Sequence, residues 1–233
     1  MQPHKIVSQA EWLAARKAHL ALEKQFTKAR DELSRQRREL PWLKIDRPYV
    51  FDGPHGKQTL AQLFDGRSQL VVYHFMFDPS WEDPCKSCSF WADNFERNVV
   101  HLAQRDVTLI AVSRAPLAKL EAFKQRMGWT FTWVSSGGNE FNFDYDVSFR
   151  PDAAAHATYN YAPKTSSMTE LPGISVFYKD ASGAIFHTYS SYARGLDMMN
   201  VAYQYLDLVP KGRDEDREMH PMAWLRYRDA YGS

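Results

Sequence analysis

Apolar and polar residues alternate in three distinct ways along the chain. Near the start, Leu22, Phe26, Ala29, Leu33 and Leu40 recur at spacings of three, four and seven among Arg, Lys and Glu. That period predicts one long helix with a narrow apolar stripe. Ser8-Gln9-Ala10-Glu11 has the spacing of a capping box, in which Ser8 and Glu11 satisfy each other's free backbone N–H groups at the helix start, and Pro41 marks the stop. A helix of roughly thirty residues is about 50 Å long. It outreaches a small domain, which makes it a candidate surface for a homodimer.

After Trp42 the pattern shortens. Asp52-Gly53-Pro54-His55-Gly56 is a turn between two short strands, and Thr59 to Phe64 reads as a helical turn. Leu70 to Phe77 is a continuous apolar run, the sign of a central strand buried on both faces. From Cys85, residues Cys88, Trp91, Phe95, Val99 and Leu102 fall on one helical face, which predicts a single helix to about Leu102 with Cys88 inward. Strand, helix and strand follow at Val107 to Ser113, Pro116 to Met127 and Thr130 to Val134, with Gly128 just past the helix. A mostly irregular stretch runs from Ser135 to Pro172, with a short helical piece near Asn142 to Phe149. Gly173 to Tyr178 and Ala184 to Ser190 then form a hairpin across Lys179-Asp180-Ala181-Ser182-Gly183, and Leu196 to Leu208 supplies a last helix. The mixed-charge tail carries Trp224, Tyr227 and Tyr231, which suit a docked extension.

Composition narrows the function classes. Of 233 residues 44% are hydrophobic and 14% aromatic, enough for a shaped core. The net charge is +1, with nine Lys or Arg against five Asp or Glu in residues 1–40 and a deficit elsewhere. Such a balance supplies no concentrated basic surface, so neither nucleic acid nor an anionic membrane is expected as a partner. The longest apolar run has eight residues and the start lacks a signal-peptide pattern, which reads as cytoplasmic. Neither G-x-G-x-x-G after a strand nor G-x-x-x-x-G-K-[ST] occurs, so no nucleotide cofactor is expected.

The chemistry centres on Cys85-Lys86-Ser87-Cys88. A bridge between cysteines three apart closes a tiny loop and adds little stability, which points to redox chemistry or metal binding. At a helix start, free N–H groups and the positive end of the dipole favour a thiolate, and Lys86 adds charge. Cys85 is then the attacking thiol, with Cys88 one turn inside it as the resolving thiol. Structural zinc needs four ligands, which two cysteines give only with help from histidines such as His74 or His101, so no metal is expected. An inert pair is the remaining alternative.

The chain resembles the thioredoxin-like superfamily and, more closely, the DUF899 family of predicted dithiol-disulfide oxidoreductases. The carriers are EWLAARKAHLALEKQFTKARDELSRQRRELPW, YVFDGPHGKQTLAQLFDGRSQLVVYHFMF, TLIAVSRAPLAKLEAFKQRMGWTFTWVSS, GISVFYKD and LDLVPKGRDED. The resemblance implies an α/β thioredoxin-like fold, a central mixed sheet flanked by helices. It also implies a proline against the cysteine pair, cis in that superfamily. Pro172, just ahead of a central strand, holds the matching place, its isomer open.

Thioredoxin itself has Gly and Pro between its cysteines and a buried Asp in the preceding strand; here Lys86 and Ser87 stand between, and Tyr73 and His74 lie near the acid's position. Tyr49 to Ser136 also resembles peroxiredoxins, whose attacking cysteine has Thr or Ser three residues before it and Pro seven before. Glu82 and Asp78 occupy those places, which sets a thiol-dependent peroxidase second. A non-catalytic binding protein on the same scaffold is a third reading. His74 and His187 are candidate acid–base groups, Tyr159, Tyr161, Tyr189 and Tyr192 candidate pocket residues, and Ser113-Arg114 a candidate ligand position at a strand end.

The expectation is therefore a helical extension at 1–41, a thioredoxin-like domain at 42–210 and a C-terminal extension at 211–233. The site is Cys85, Cys88 and Pro172, and the activity dithiol–disulfide exchange with a protein or small-molecule thiol or disulfide, without cofactor.

Overall fold

A computed structural model describes residues 4–150 and 157–232. The chain divides into two units between Pro41 and Trp42.

In the first, α1 (Gln9–Arg37) starts at the expected capping box, with the Glu11 N–H donating to the Ser8 hydroxyl oxygen and the Ser8 N–H to the Glu11 carboxylate. None of its residues is buried, and Phe26 is 69% exposed, so the apolar stripe lies open. The helix ends four residues before Pro41, consistent with the bias of pre-proline residues away from helical geometry.

The second unit is built on an eight-stranded mixed sheet. Its strands are β1 (Leu43–Lys44), β2 (Val50–Gly53), β3 (Gly56–Thr59), β4 (Gln69–His74), β5 (Val107–Ser113), β6 (Thr132–Ser135), β9 (Gly173–Lys179) and β10 (Ile185–Tyr192). They lie in the order β1-β10-β9-β4-β5-β6-β2-β3. β4 runs parallel to β5 and antiparallel to β9, and β9 pairs antiparallel with β10. A β-α-β unit joined edge to edge with a β-hairpin around a central first strand is the thioredoxin-like arrangement. A two-stranded ribbon of β7 (Thr158–Tyr159) and β8 (Ala162–Pro163) lies in the stretch read from sequence as irregular.

The helices are α2 (Lys86–Phe95), α3 (Val99–Ala103), α4 (Leu117–Met127), α5 (Phe141–Asp144) and α6 (Val201–Leu206). Two breaks depart from the expected pattern. The single helix from Cys85 to Leu102 is interrupted by a 3-10 turn at Glu96–Asn98. There the buried Glu96 carboxylate accepts the backbone N–H groups of Thr130 (3.0 Å) and Phe131 (3.4 Å), a tertiary bond invisible to helical periodicity. The last helix breaks likewise, as a 3-10 segment Ala193–Met199 and then α6. Buried Asn200 sits between them in extended geometry, its side chain capping the Tyr203 N–H at 3.1 Å.

Period-two alternation in β4 divides the core into two faces. Tyr73, with Phe75, Phe77 and Trp133, belongs to the cluster that holds Cys88 and Trp91; Leu70 and Val72 join Phe51, Phe64 and Phe141 on the other face. Among the described residues no helix is long and apolar enough to cross a membrane.

Candidate active site at Cys85 and Cys88

β4 ends at His74, but Phe75 to Phe77 stay buried and carry the backbone to the cysteines. Met76 grips both: its carbonyl accepts the Cys85 N–H at 3.1 Å, and its N–H donates to Cys88 Sγ at 3.5 Å. Cys85 is the N-cap of α2, with extended φ −62° and ψ 125°, and its sulfur accepts the Cys88 N–H at 3.4 Å. Sulfur thus takes the role usually played by a capping oxygen, at the positive end of the helix. Both cysteines are free thiols; Cys85 is partly exposed and Cys88 buried.

The two sulfurs are pushed apart in acidity. A hydrogen bond from the Cys88 thiol, helped by the Cys88 and Ser87 N–H groups and the Ser87 hydroxyl, outweighs burial and draws Cys85 down to about 7. Burial first, then the neighbouring Cys85, raises Cys88 well above the ordinary thiol value, against hydrogen bonds from Tyr73 and the Met76 N–H. The split favours a thiolate at Cys85 and a thiol at Cys88. Alkylation of the reduced chain by iodoacetamide should rise with pH to half its maximum near 7. A half-point near the ordinary thiol value of about 8.5 would contradict the assignment.

Sequence reasoning missed several partners. Buried Tyr73 lines the same cleft as Cys88, where its hydroxyl favours the Cys88 thiolate, a placement that the need of a buried tyrosine hydroxyl for a partner signals in principle. Ser87 favours the Cys85 thiolate, whereas the Lys86 ammonium lies over the Tyr227 ring, 6.0 Å from its centroid. The C-terminal extension also reaches the site, the buried Tyr227 hydroxyl donating to the carbonyl of Pro84, the residue before Cys85. Pro172 meets both cysteines at a cleft of about 340 Å³. Its carbonyl accepts the Tyr159 hydroxyl at 2.7 Å. The peptide bonds among the described residues are all trans, that before Pro172 included.

Other sequence candidates lie elsewhere. His74 faces away from the cysteines, stacked on Tyr145 (5.8 Å) with Nε2 against Ser175 Oγ at 2.8 Å, and His187 Nε2 meets Ser190 Oγ at 2.7 Å. Both are structural, and neither lines the cysteine cleft. Tyr159, Tyr161 and Tyr192 pack against one another rather than around that cleft. Ser113 is buried and donates to the Phe75 carbonyl at 2.6 Å; Arg114 pairs with the buried Glu170 at 3.3 Å. Glu82 is exposed and Asp78 accepts the Ser80 N–H at 2.9 Å in a turn, so neither supplies a hydroxyl to Cys85. Among the described residues no three His, Cys, Asp or Glu gather as a metal site.

Burial drives His74 down to about 3, so the folded chain refuses a proton that the unfolded chain takes up below about 6.5. Stability from this group is full above 6.5 and falls with pH by about 1.4 kcal/mol per unit, or about 2 kcal/mol by pH 5. Glu170, lifted by burial to about 7, acts in the opposite sense. The His74 share is therefore read as the difference between the chain and His74→Gln: urea denaturation at pH 7 and 5 should show the variant losing less on acidification. Equal losses would refute the assignment.

Comparison with curated proteins finds no match. Solved structures similar to the chain include a cysteine-to-serine mutant of Xanthomonas campestris peroxiredoxin Q, at 15% identity over 70% of this chain and 90% of that one with a TM-score of 0.47. Peroxidoxin BcpB from Mycobacterium tuberculosis is 10% identical over 71% and 97%, TM-score 0.46. Plasmodium yoelii thioredoxin peroxidase I is 14% identical over 80% and 97%, TM-score 0.43. The architecture rests on the strand order above and not on these likenesses. The family profile described as bacterial protein of unknown function (DUF899) matches residues 1–231, and the chain belongs to that family.

Proposed function

We propose that the chain is a thiol–disulfide oxidoreductase in which Cys85 attacks and Cys88 resolves. The supporting observation is the opposed setting of the two sulfurs, one partly exposed at a helix N-terminus and drawn down to about 7, the other buried beside it.

In this reading the Cys85 thiolate attacks one sulfur of a substrate disulfide. The Cys85–substrate S–S bond forms, the substrate S–S bond breaks, and the first arm leaves as a thiolate that takes a proton from water. Cys85 is now uncharged and no longer opposes ionisation of Cys88, while the Tyr73 hydroxyl and the Met76 N–H favour the Cys88 thiolate. Cys88 loses its proton and attacks Cys85 Sγ, the internal bond forms, and the second arm leaves as a thiol. Two electrons pass from the pair to the substrate, with one proton from Cys88 and one from water, as the Cys85–substrate bond breaks. The reverse sequence oxidises a dithiol.

The test uses 2,2′-dithiodipyridine, which releases a coloured thiopyridone at each exchange. The reduced chain should release two equivalents and retain no pyridyl arm by mass. A chain that releases one equivalent and keeps the arm on Cys85 would overturn the dithiol mechanism.

A further inference from the structure

The cleft above the pair has a consequence for the substrate. About 340 Å³ is near the lower end of small-ligand pockets, roughly 300–1,000 Å³. Tyr73, Met76, Trp91, Pro172, Leu196 and Met222 line it beside both cysteines. Its two charged residues, Arg194 and Asp197, pair with each other at 3.0 Å, and Asp197 also holds Arg213 at 2.9 Å. Arg213 in turn pairs with Asp207 at 2.8 Å, so two guanidiniums meet two carboxylates and the charge at the rim is answered by protein.

Two lining residues are held in a conformation that favours glycine: Ala193 at φ 48° and Met222 at φ 68°. A side chain in the left-handed region persists where its surroundings over-determine it. The Ala193 N–H donates to the Tyr159 hydroxyl oxygen at 3.0 Å, and that hydroxyl donates to Pro172. The Met222 N–H donates to Glu215 Oε1 at 3.1 Å, and the same oxygen accepts the Tyr203 hydroxyl and Trp224 Nε1, both at 2.7 Å. Three donors on one carboxylate oxygen, with Tyr227 tied to Pro84, fix the C-terminal extension where Met222 forms a wall of the cleft.

We infer that the cleft is the substrate subsite and takes one arm of a small uncharged disulfide, aromatic or branched aliphatic, with Met222 setting that preference. This rests on the thiol–disulfide reading above, and the exchange is the one written there, the bound arm leaving as the free thiol. The arms of oxidised glutathione carry carboxylates and an ammonium, whose burial against apolar walls has no compensating partner here. Room for one small arm also disfavours the disulfide of a folded polypeptide. A thioether wall suits an aromatic arm, since methionine sulfur makes favourable contacts with ring edges.

The experiment compares rates of the reduced chain with 2,2′-dithiodipyridine, oxidised glutathione and insulin, each divided by its rate with free dithiothreitol at the same pH. The normalised rate for the neutral disulfide should exceed the others by about 100-fold or more. Met222→Lys should cut that preference by about tenfold. Met222→Asn suits the left-handed backbone, removes the apolar wall, and should lower the preference in the same direction if the lysine variant does not fold. A normalised rate for glutathione or insulin equal to that for the neutral disulfide overturns the inference, as does a preference unmoved in the folded variant. Release of only one equivalent from every disulfide would instead strike the underlying dithiol reading.

Discussion

Cys85→Ser should lower exchange with any disulfide by at least about 1,000-fold, because a serine hydroxyl at neutral pH offers no nucleophile comparable to a thiolate. Cys88→Ser should do something different. Its Cys85 still attacks, so the first arm is released, but nothing displaces the second, and the chain should gain the mass of one substrate arm on Cys85. Cys88→Ala goes further and removes the hydrogen-bond donor that is the largest influence lowering Cys85. Its alkylation profile should therefore move to higher pH than that of the parent chain, a shift that loss of resolution alone would not produce. Full turnover by any of these variants would contradict the assigned roles.

The largest structural effect should come from Trp133→Ala. Trp133 is fully buried, with its ring centroid 4.5 Å from Phe75 and 6.0 Å from Trp129, and its Nε1 donates to Ser113 Oγ at 2.9 Å. Ser113 Oγ in turn donates to the Phe75 carbonyl. Truncation leaves a cavity and breaks this chain of bonds, at a cost of about 3–5 kcal/mol. With a urea m-value of roughly 2–3 kcal/mol/M the denaturation midpoint should fall by about 1–2 M. Phe75 and Phe77 flank Met76, the residue that grips both cysteines, so the folded variant should also show a displaced Cys85 alkylation profile. An unchanged midpoint would mean that this cluster does not carry the packing attributed to it.

The candidate site was legible in sequence where chemistry and local geometry coincide. Cys85 and Cys88 at a helix start after a buried strand are a local pattern, as are Ser8 with Glu11 and the hairpin of β9 and β10. Pro172 could be placed beside the pair only through the resemblance. What stayed hidden depends on contacts between distant residues. Glu96 leaves its helical register for the backbone at Thr130 and Phe131, and Asn200 interrupts the last helix from a buried position. A two-residue period shows that Tyr73 and His74 face opposite sides of β4, but not which side holds the cysteines; the packing gives that to Tyr73. Met222 lies far along the chain from Cys88, in a tail whose composition shows only that it could dock.

Cys85 and Cys88 should form a reversible two-electron couple. Its most direct test is equilibration of the chain in glutathione buffers of varied ratio, acid quenching, alkylation and counting of free thiols by mass. One concerted transition from two free thiols to none is expected, with the bond located between Cys85 and Cys88. Thiols that never pair within the chain, or that carry glutathione on Cys85 at every ratio, would contradict it.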